Sequence, residues 1–258
     1  MNKQLKVLAI GNSFSMDAVE YLWQIADNQG YQEIILGNLY IPGCKLETHA
    51  NNALNNLGSY EYYKTKDGNW SIKPNYTILE ALEEEEWDYI TMQQNSGNSG
   101  LKETYLPYLD QLLDSVIKNK PQHAKLVWHM TWAYESTHLI PAFEKYNSNQ
   151  LTMYKMITEA VNELVLSKKE FIKVIPSGTA IQNARTSYVG DHLTRDGYHL
   201  SLNLGRFIAG LMWFKTLTDE SIDSVDFRPV GVNESDLEMA KVAVNKAFTN
   251  PYSVTELK

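Results

Sequence analysis

The sequence predicts an α/β fold: a mainly parallel sheet of about five strands, covered by helices on both faces. Two observations predict it. Short apolar runs bounded by Gly, Pro or polar turns alternate with segments of helical periodicity, the order that builds strand–helix–strand units. The chain has 258 residues, of which 43% are hydrophobic and 21% charged, a composition that buries a full core without disulfide staples.

Residues 5–10 form an apolar run closed by Gly11 and read as a buried strand. Over residues 15–28, Val19, Leu22, Trp23 and Ala26 share one helical face, with Ser15 as the expected N-cap and Gly30 as the stop. Residues 33–41 read as the second strand, ended by Pro42-Gly43. Residues 44–75 are the least regular and are expected as an insertion within a single domain spanning 1–258. Within it, 48–57 has helical character, and 60–64 pairs with 70–73 around Asp67-Gly68, a hairpin signal. A helix is expected over 76–86. Its run Glu83, Glu84, Glu85 and Glu86 reads as a solvated face, because adjacent helical residues do not converge on a metal. Strands at 88–92, 125–129 and 172–175 alternate with helices at 106–118 and 149–166. Helices at 202–217 and about 234–248 close the chain.

The formal net charge of −8, from 23 Lys+Arg against 31 Asp+Glu, disfavours a grip on nucleic acid, which needs a basic footprint. The one cysteine, Cys44, excludes an internal disulfide framework and a cysteine-based zinc cluster. No apolar run approaches the roughly 18 residues needed to span a bilayer. The chain enters its first strand without an apolar leader segment, so no signal peptide is expected. A cytoplasmic protein and a trimmed exported one both fit, and the oligomeric state is left open.

Ligands of open α/β sheets bind at the carboxyl ends of the strands. Strand one is followed by Gly11-Asn12-Ser13, which places a serine hydroxyl at a helix N-terminus, where developing negative charge is favoured. Ser13 as a plain helix cap is the bland alternative. Strand two leads to Gly43, whose N–H can donate to an oxyanion or simply make a turn. Cys44 beside it has no base in its local sequence and is discounted as a nucleophile. Strand three opens into Gln93-Gln94-Asn95-Ser96, a polar loop whose amides can donate to an oxyanion or face solvent. His129, Trp132 and Tyr134 follow strand four and either line a substrate site or pack beneath a loop. Before the helix at 202–217 comes Asp196-Gly197-Tyr198-His199, in which a carboxylate can hold an imidazole in one tautomer. A metal site built from Asp191, His192, Asp196 and His199 is disfavoured, since the His-Glu-x-x-His spacing is missing. The Gly-x-Ser-x-Gly elbow of α/β-hydrolases is also missing.

Together these pieces resemble the SGNH (GDSL-like) hydrolase superfamily over about residues 5–214. Within it they resemble most a bacterial domain-of-unknown-function branch near the sialate O-acetylesterase-like esterases. Gly11-Asn12-Ser13 is similar to its first block, usually Gly-Asp-Ser. Gly43 matches the second, and Asp196-Gly197-Tyr198-His199 the last. The third block departs: Gln93-Gln94-Asn95-Ser96 stands where Gly-x-Asn-Asp is usual. Gln94 is the expected donor, with Gln93 and Asn95 as alternatives.

The resemblance implies a three-layer α/β/α sandwich of flavodoxin-like type and serine esterase chemistry. In that chemistry Ser13 is the nucleophile, His199 the base and Asp196 its orienter. Ser13, Gly43 and Gln94 form the oxyanion hole, and Asn12, Asn95, His129, Trp132 and Tyr134 contact substrate. No metal and no cofactor is implied. The expected substrate is a small-molecule or glycan ester carrying a small acyl group, acetyl on a carbohydrate above all. The rivals are a lipase or thioesterase with a longer acyl pocket, and a catalytically silent carbohydrate-binding module.

Overall fold

The computed structural model describes residues 3–257; Met1, Asn2 and Lys258, the ends of the expected 1–258 unit, lie outside the described residues. Among the described residues seven strands form one sheet: β1 (Gln4–Gly11), β2 (Glu33–Tyr40), β3 (Tyr60–Thr65), β4 (Ser71–Tyr76), β5 (Tyr89–Met92), β6 (Lys125–His129) and β7 (Phe171–Ile175). Their order is β4-β3-β2-β1-β5-β6-β7. From β2 to β7 every neighbouring pair is parallel, whereas β3 and β4 join antiparallel on the β2 edge.

The expectation of about five strands is corrected here. The five parallel strands lie where the apolar runs put them, but the hairpin of the insertion extends the sheet to seven. Its side chains explain why. Tyr60 and Tyr62 point inward at 1% and 0% exposure, and Tyr62 stacks on Tyr76 at 4.5 Å, so alternate residues of β3 belong to the core. The outermost strand β4 is almost wholly exposed and carries Lys73 and Pro74, which discourage further pairing at that edge.

Among the described residues ten α-helices accompany the sheet: α1 (Ser13–Val19), α2 (Leu22–Asn28), α3 (Leu46–Asn55), α4 (Ile78–Glu84), α5 (Tyr108–Asn119), α6 (Pro141–Glu144), α7 (Gln150–Ala160), α8 (Ser177–Arg185), α9 (Leu204–Thr218) and α10 (Glu234–Thr249). α3, α4 and α5 pack together over one face, and α1, α2, α8, α9 and α10 over the other. α9 sits at the centre of its layer, against α1, α2, α8, α10 and β7. It is apolar nearly all round, with Phe207, Ile208, Leu211, Met212, Trp213 and Phe214 fully buried, the pattern of a helix enclosed on every side. Each such side chain contributes about 1.5–3 kcal/mol of burial.

Three local readings change. The first helix begins at Ser13, with Asn12 rather than Ser15 as its N-cap, and it breaks at Glu20-Tyr21 into α1 and α2. α8 was not expected, because Ser177, Gly178 and Thr179 are weak helix formers. Tertiary packing overrides that preference: every residue of α8 is buried. The helix at 149–166 ends as α7 at Ala160 and continues as a π-turn over Val161–Val165. Among the described residues no helix is long and apolar enough to cross a membrane.

Candidate active site

β1 delivers Ser13 to the carboxyl edge of the sheet at the first residue of α1. Its Oγ lies 2.8 Å from Nε2 of His199, a residue 186 positions away in the chain. Nδ1 of His199 lies 2.7 Å from Oδ2 of Asp196. A carboxylate only accepts, so Nδ1 carries the proton, and bare Nε2 accepts from the serine hydroxyl. Oδ1 of Asp196 accepts from the backbone N–H of His199 at 2.8 Å and of Tyr198 at 3.3 Å, closing an Asx-type turn around Gly197. Partial burial pushes the Asp196 pKa up. The hydrogen bonds it accepts from His199 and Tyr198 outweigh that and hold the carboxyl below its ordinary range.

The loop that carries Asp196 and His199 is pinned on several sides. Trp132 Nε1 donates to the Tyr198 carbonyl at 2.7 Å, and the Glu135 N–H donates to that of Gly197 at 2.7 Å. Arg195 N–H donates to the His199 carbonyl at 2.9 Å. Asp17, one turn beyond Ser13 and 1% exposed, accepts from Arg195 Nη1 (3.0 Å), Arg206 Nε (2.8 Å) and the Leu200 N–H (2.9 Å). One buried carboxylate therefore joins the serine's helix, the histidine's loop and α9. Gly197 has φ +89°, and a Cβ there would come within 2.2 Å of His138 Nδ1, so only glycine fits.

Residues 41–44 form a tight turn closed by Cys44 N–H to the Ile41 carbonyl at 3.1 Å. Pro42 precedes Gly43, which has φ +60°, the residue order of a type II turn. Among the described residues neither the Ser13 nor the Gly43 N–H has an acceptor. The loop after β5 separates the three amides. Gln94 is 2% exposed and spent at both ends: Oε1 accepts from the N–H of Leu46 (3.1 Å) and of Asn95 (2.8 Å), and Nε2 donates to Thr104 O (3.2 Å) and Oγ1 (3.1 Å). Gln93 is 1% exposed and bridges Asn12 and His129. Asn95 is half-buried, its Oδ1 lacks a partner, and its Nδ2 is uncommitted among the described residues. The expectation that Gln94 faces the oxyanion is therefore at odds with this geometry. Hydrogen-bond accounting together with burial, which sequence cannot supply, singles out Asn95: its Nδ2 has no partner among the described residues and it is half-buried, whereas Gln93 gives one N–H to Asn12 and is 1% exposed.

The expected substrate contacts fare differently. Asn12 is 1% exposed and capped into the fold. His129 is 1% exposed, between Gln93 and Ser177. Trp132 is 0% exposed and stacks on Phe14 at 4.2 Å and 6°. Tyr134 is 2% exposed, with its hydroxyl 2.9 Å from Ser96 Oγ. Asn12, His129, Trp132 and Tyr134 are thus interior groups beneath the site rather than its lining. A partly exposed ring next to the site is Tyr198, whose ring centroid is 4.0 Å from that of His199; Tyr40, partly exposed at the end of β2, packs edge-on against Tyr63 at 5.6 Å. Cys44 is buried, and desolvation pushes its thiol up to about 12, so it stays protonated and poorly nucleophilic. Asp191 is turned away from Asp196, toward Gln150 and buried Arg185.

The family model for the domain of unknown function DUF4886 matches residues 6–248. The chain is similar to a crystal structure of a DUF4886 family protein from Bacteroides uniformis: 42% identity over 99% of this chain and 98% of that one, with a TM-score of 0.95. More distant likenesses establish the fold. One is a candidate SGNH hydrolase from Slackia heliotrinireducens (19% identity, 84% of this chain, 100% of that one, TM-score 0.56). Another is an acetylxylan esterase from Geobacillus stearothermophilus (13% identity, 88% and 99%, TM-score 0.54). No curated protein matches the chain. The fold is that of the SGNH hydrolases, as the sequence motifs implied.

Proposed function

The chain belongs to the DUF4886 family, and from that membership and the geometry around Ser13 we propose that it is a serine esterase releasing a small acyl group. The observation that carries the reading is the hydrogen-bonded series Ser13–His199–Asp196, at 2.8 and 2.7 Å. His199 takes the serine proton as Oγ attacks the ester carbonyl, and returns it to the leaving alcohol. Asp196 holds the ring and stabilises the imidazolium. The N–H groups of Ser13 and Gly43 and the Nδ2 of Asn95 receive the negative charge of the tetrahedral intermediate. Water then attacks the acyl-serine by the same route.

The small acyl group is supported by packing. Trp132 stacks at 4.2 Å on Phe14, the residue after Ser13, which leaves no gap between those two rings for a long acyl chain and favours acetyl over a fatty acyl group. A carbohydrate as the alcohol is supported by the partly exposed ring of Tyr198 and by the fold shared with an acetylxylan esterase.

A fluorophosphonate probe tests the reading. It labels the wild type at one serine, and Ser13→Ala loses both labelling and hydrolysis of nitrophenyl acetate by several orders of magnitude. Hydrolysis at the wild-type rate by folded Ser13→Ala would refute it. Octanoate esters turned over faster than acetate would refute the small acyl pocket.

A further inference from the structure

Five polar groups cross the carboxyl edge of the sheet in strand order, one from the end of each parallel strand. They are the Cys44 carbonyl after β2, Asn12 after β1, Gln93 after β5, His129 at the end of β6 and Ser177 after β7. Asn12 Nδ2 donates to Cys44 O at 3.2 Å. Gln93 Nε2 donates to Asn12 Oδ1 at 2.9 Å. His129 Nδ1 meets Gln93 Oε1 at 2.8 Å, and His129 Nε2 meets Ser177 Oγ at 3.1 Å. Asn12, Gln93, His129 and Ser177 are each at most 1% exposed.

The direction of this series is set by backbone groups that cannot change roles. Asn12 Oδ1 also accepts from the Phe14 N–H at 2.9 Å, and the Cys44 carbonyl can only accept, so the Asn12 amide has one orientation. Asn12 Oδ1 then requires the Nε2 end of Gln93, and Gln93 Oε1 requires a proton on His129 Nδ1. Bare Nε2 finally takes the hydroxyl proton of Ser177. Burial depresses the His129 pKa to about 3, which keeps the ring neutral, as this arrangement needs. Every hydrogen bond therefore points the same way, from Ser177 to Cys44.

The series ends on the two turns that bear on Ser13. The Phe14 N–H is consumed by Asn12 Oδ1, which leaves the Ser13 N–H as the free donor at the helix start. The Cys44 carbonyl belongs to the turn that orients the Gly43 N–H. We propose that the buried series Ser177–His129–Gln93–Asn12 is a positioning belt that sets the spacing between the nucleophile turn and the Gly43 turn. Asn12 acts in it as an amide, and an aspartate in its place does not substitute. The proposal rests on the esterase reading above. The members are positioning residues, since none touches the reacting atoms.

Asn12→Asp is the central test, because it keeps both hydrogen bonds to Oδ1 and sets a carboxylate oxygen against the Cys44 carbonyl. Gln93→Glu similarly keeps the acceptor for His129 but faces Asn12 Oδ1 with a second acceptor. Each variant is expected to label with the fluorophosphonate about 10²-fold more slowly, with kcat falling in step and KM within threefold. Folded Asn12→Asp and Gln93→Glu proteins labelling at the wild-type rate would overturn the belt. If neither folds, His129 decides. His129→Asn restores a donor near the Nδ1 position and His129→Leu does not, while both leave a cavity. The belt requires His129→Asn to label at least tenfold faster than His129→Leu at similar thermal midpoints. Equal labelling rates would reduce the belt to a stabilising network and overturn the proposal. Wild-type protein that does not label at all would instead strike the esterase reading, so the two failures are distinguishable.

Discussion

At the scale of the residue, Asn95 and Gln94 lie side by side in one loop and are separated by what their amides already hold. Asn95→Ala is expected to lower kcat by about 10²–10³-fold, as loss of one oxyanion donor does, with KM and thermal midpoint little changed. Gln94→Ala strips acceptors from the Leu46 and Asn95 N–H groups and should cost about 1–3 kcal/mol of stability. A crippled but fully stable Gln94→Ala, beside a silent Asn95→Ala, would reverse the two roles. Urea unfolding and steady-state kinetics on the pair decide it. The sequence singled out Ser13, Asp196 and His199 because each sits in a short motif at the end of a strand or before a helix. Which of the three consecutive amides is uncommitted was not legible, because Gln94 is held by Thr104 and Leu46, residues outside the motif. Trp132 and Tyr134 misled for the same reason: whether an aromatic after a strand lines a mouth or lies under it depends on partners such as Phe14.

At the scale of the element, the site is assembled from α1 and the loop before α9, and Asp17 is the joint between them. Its carboxylate is buried, while the side chains of Arg195 and Arg206 remain 32% and 19% exposed. Removing the acid strands two cations that still reach water. Asp17→Ala should therefore cost less than the roughly 3–5 kcal/mol of a fully buried broken pair. The Ser13–His199 distance is held by the same joint, so kcat should fall in the surviving folded protein while KM changes little. Wild-type kcat in Asp17→Ala would mean that the loop is held by Trp132 and Glu135 alone. Gly197→Ala tests the other side of the loop. It should reduce kcat, and His138→Ala in the same chain should recover only part of the loss, because the φ of +89° remains unfavourable once the space is cleared. The five parallel strands were legible as apolar runs. The β3–β4 hairpin was read as part of an irregular insertion within the domain rather than as an extension of the sheet, because its tyrosines and lysines look amphipathic rather than buried. α8 went unseen because its weak helix formers are stabilised by enclosure, which no local pattern records.

At the scale of the whole molecule, two buried histidines give stability a pH dependence that begins well above the carboxylate range. His49 and His129 are 0% and 1% exposed, and desolvation lowers both pKa values to about 3. In the unfolded chain each titrates near the ordinary value of about 6.5. Between about pH 6.5 and pH 3 the unfolded state therefore binds two more protons than the folded one. Stability rises with pH wherever the unfolded state holds more protons, so acidification through this window removes it. At full slope the two sites account for about 2.7 kcal/mol per pH unit. The depressed carboxyls of Asp191 and Asp196 act later. Burial pushes both up, but Arg185 outweighs it at Asp191 and His199 at Asp196. Their contribution is complete above the ordinary carboxylate range of about 4 and is lost as the pH falls through their lower folded values. The unfolding free energy should hence decline from near pH 6.5, steepen toward pH 5, and gain a further acid-side loss only below about pH 4. His49→Asn removes one titrating site and should roughly halve the slope between pH 6 and pH 5, whatever it does to absolute stability. Urea titrations of the wild type and His49→Asn at half-unit pH intervals measure that slope directly. A wild-type stability that is flat from pH 6.5 to pH 5 would mean that these histidines take up protons inside the fold. In that case the neutral His129 on which the hydrogen-bond order across the sheet edge depends would not exist at the pH of the measurement.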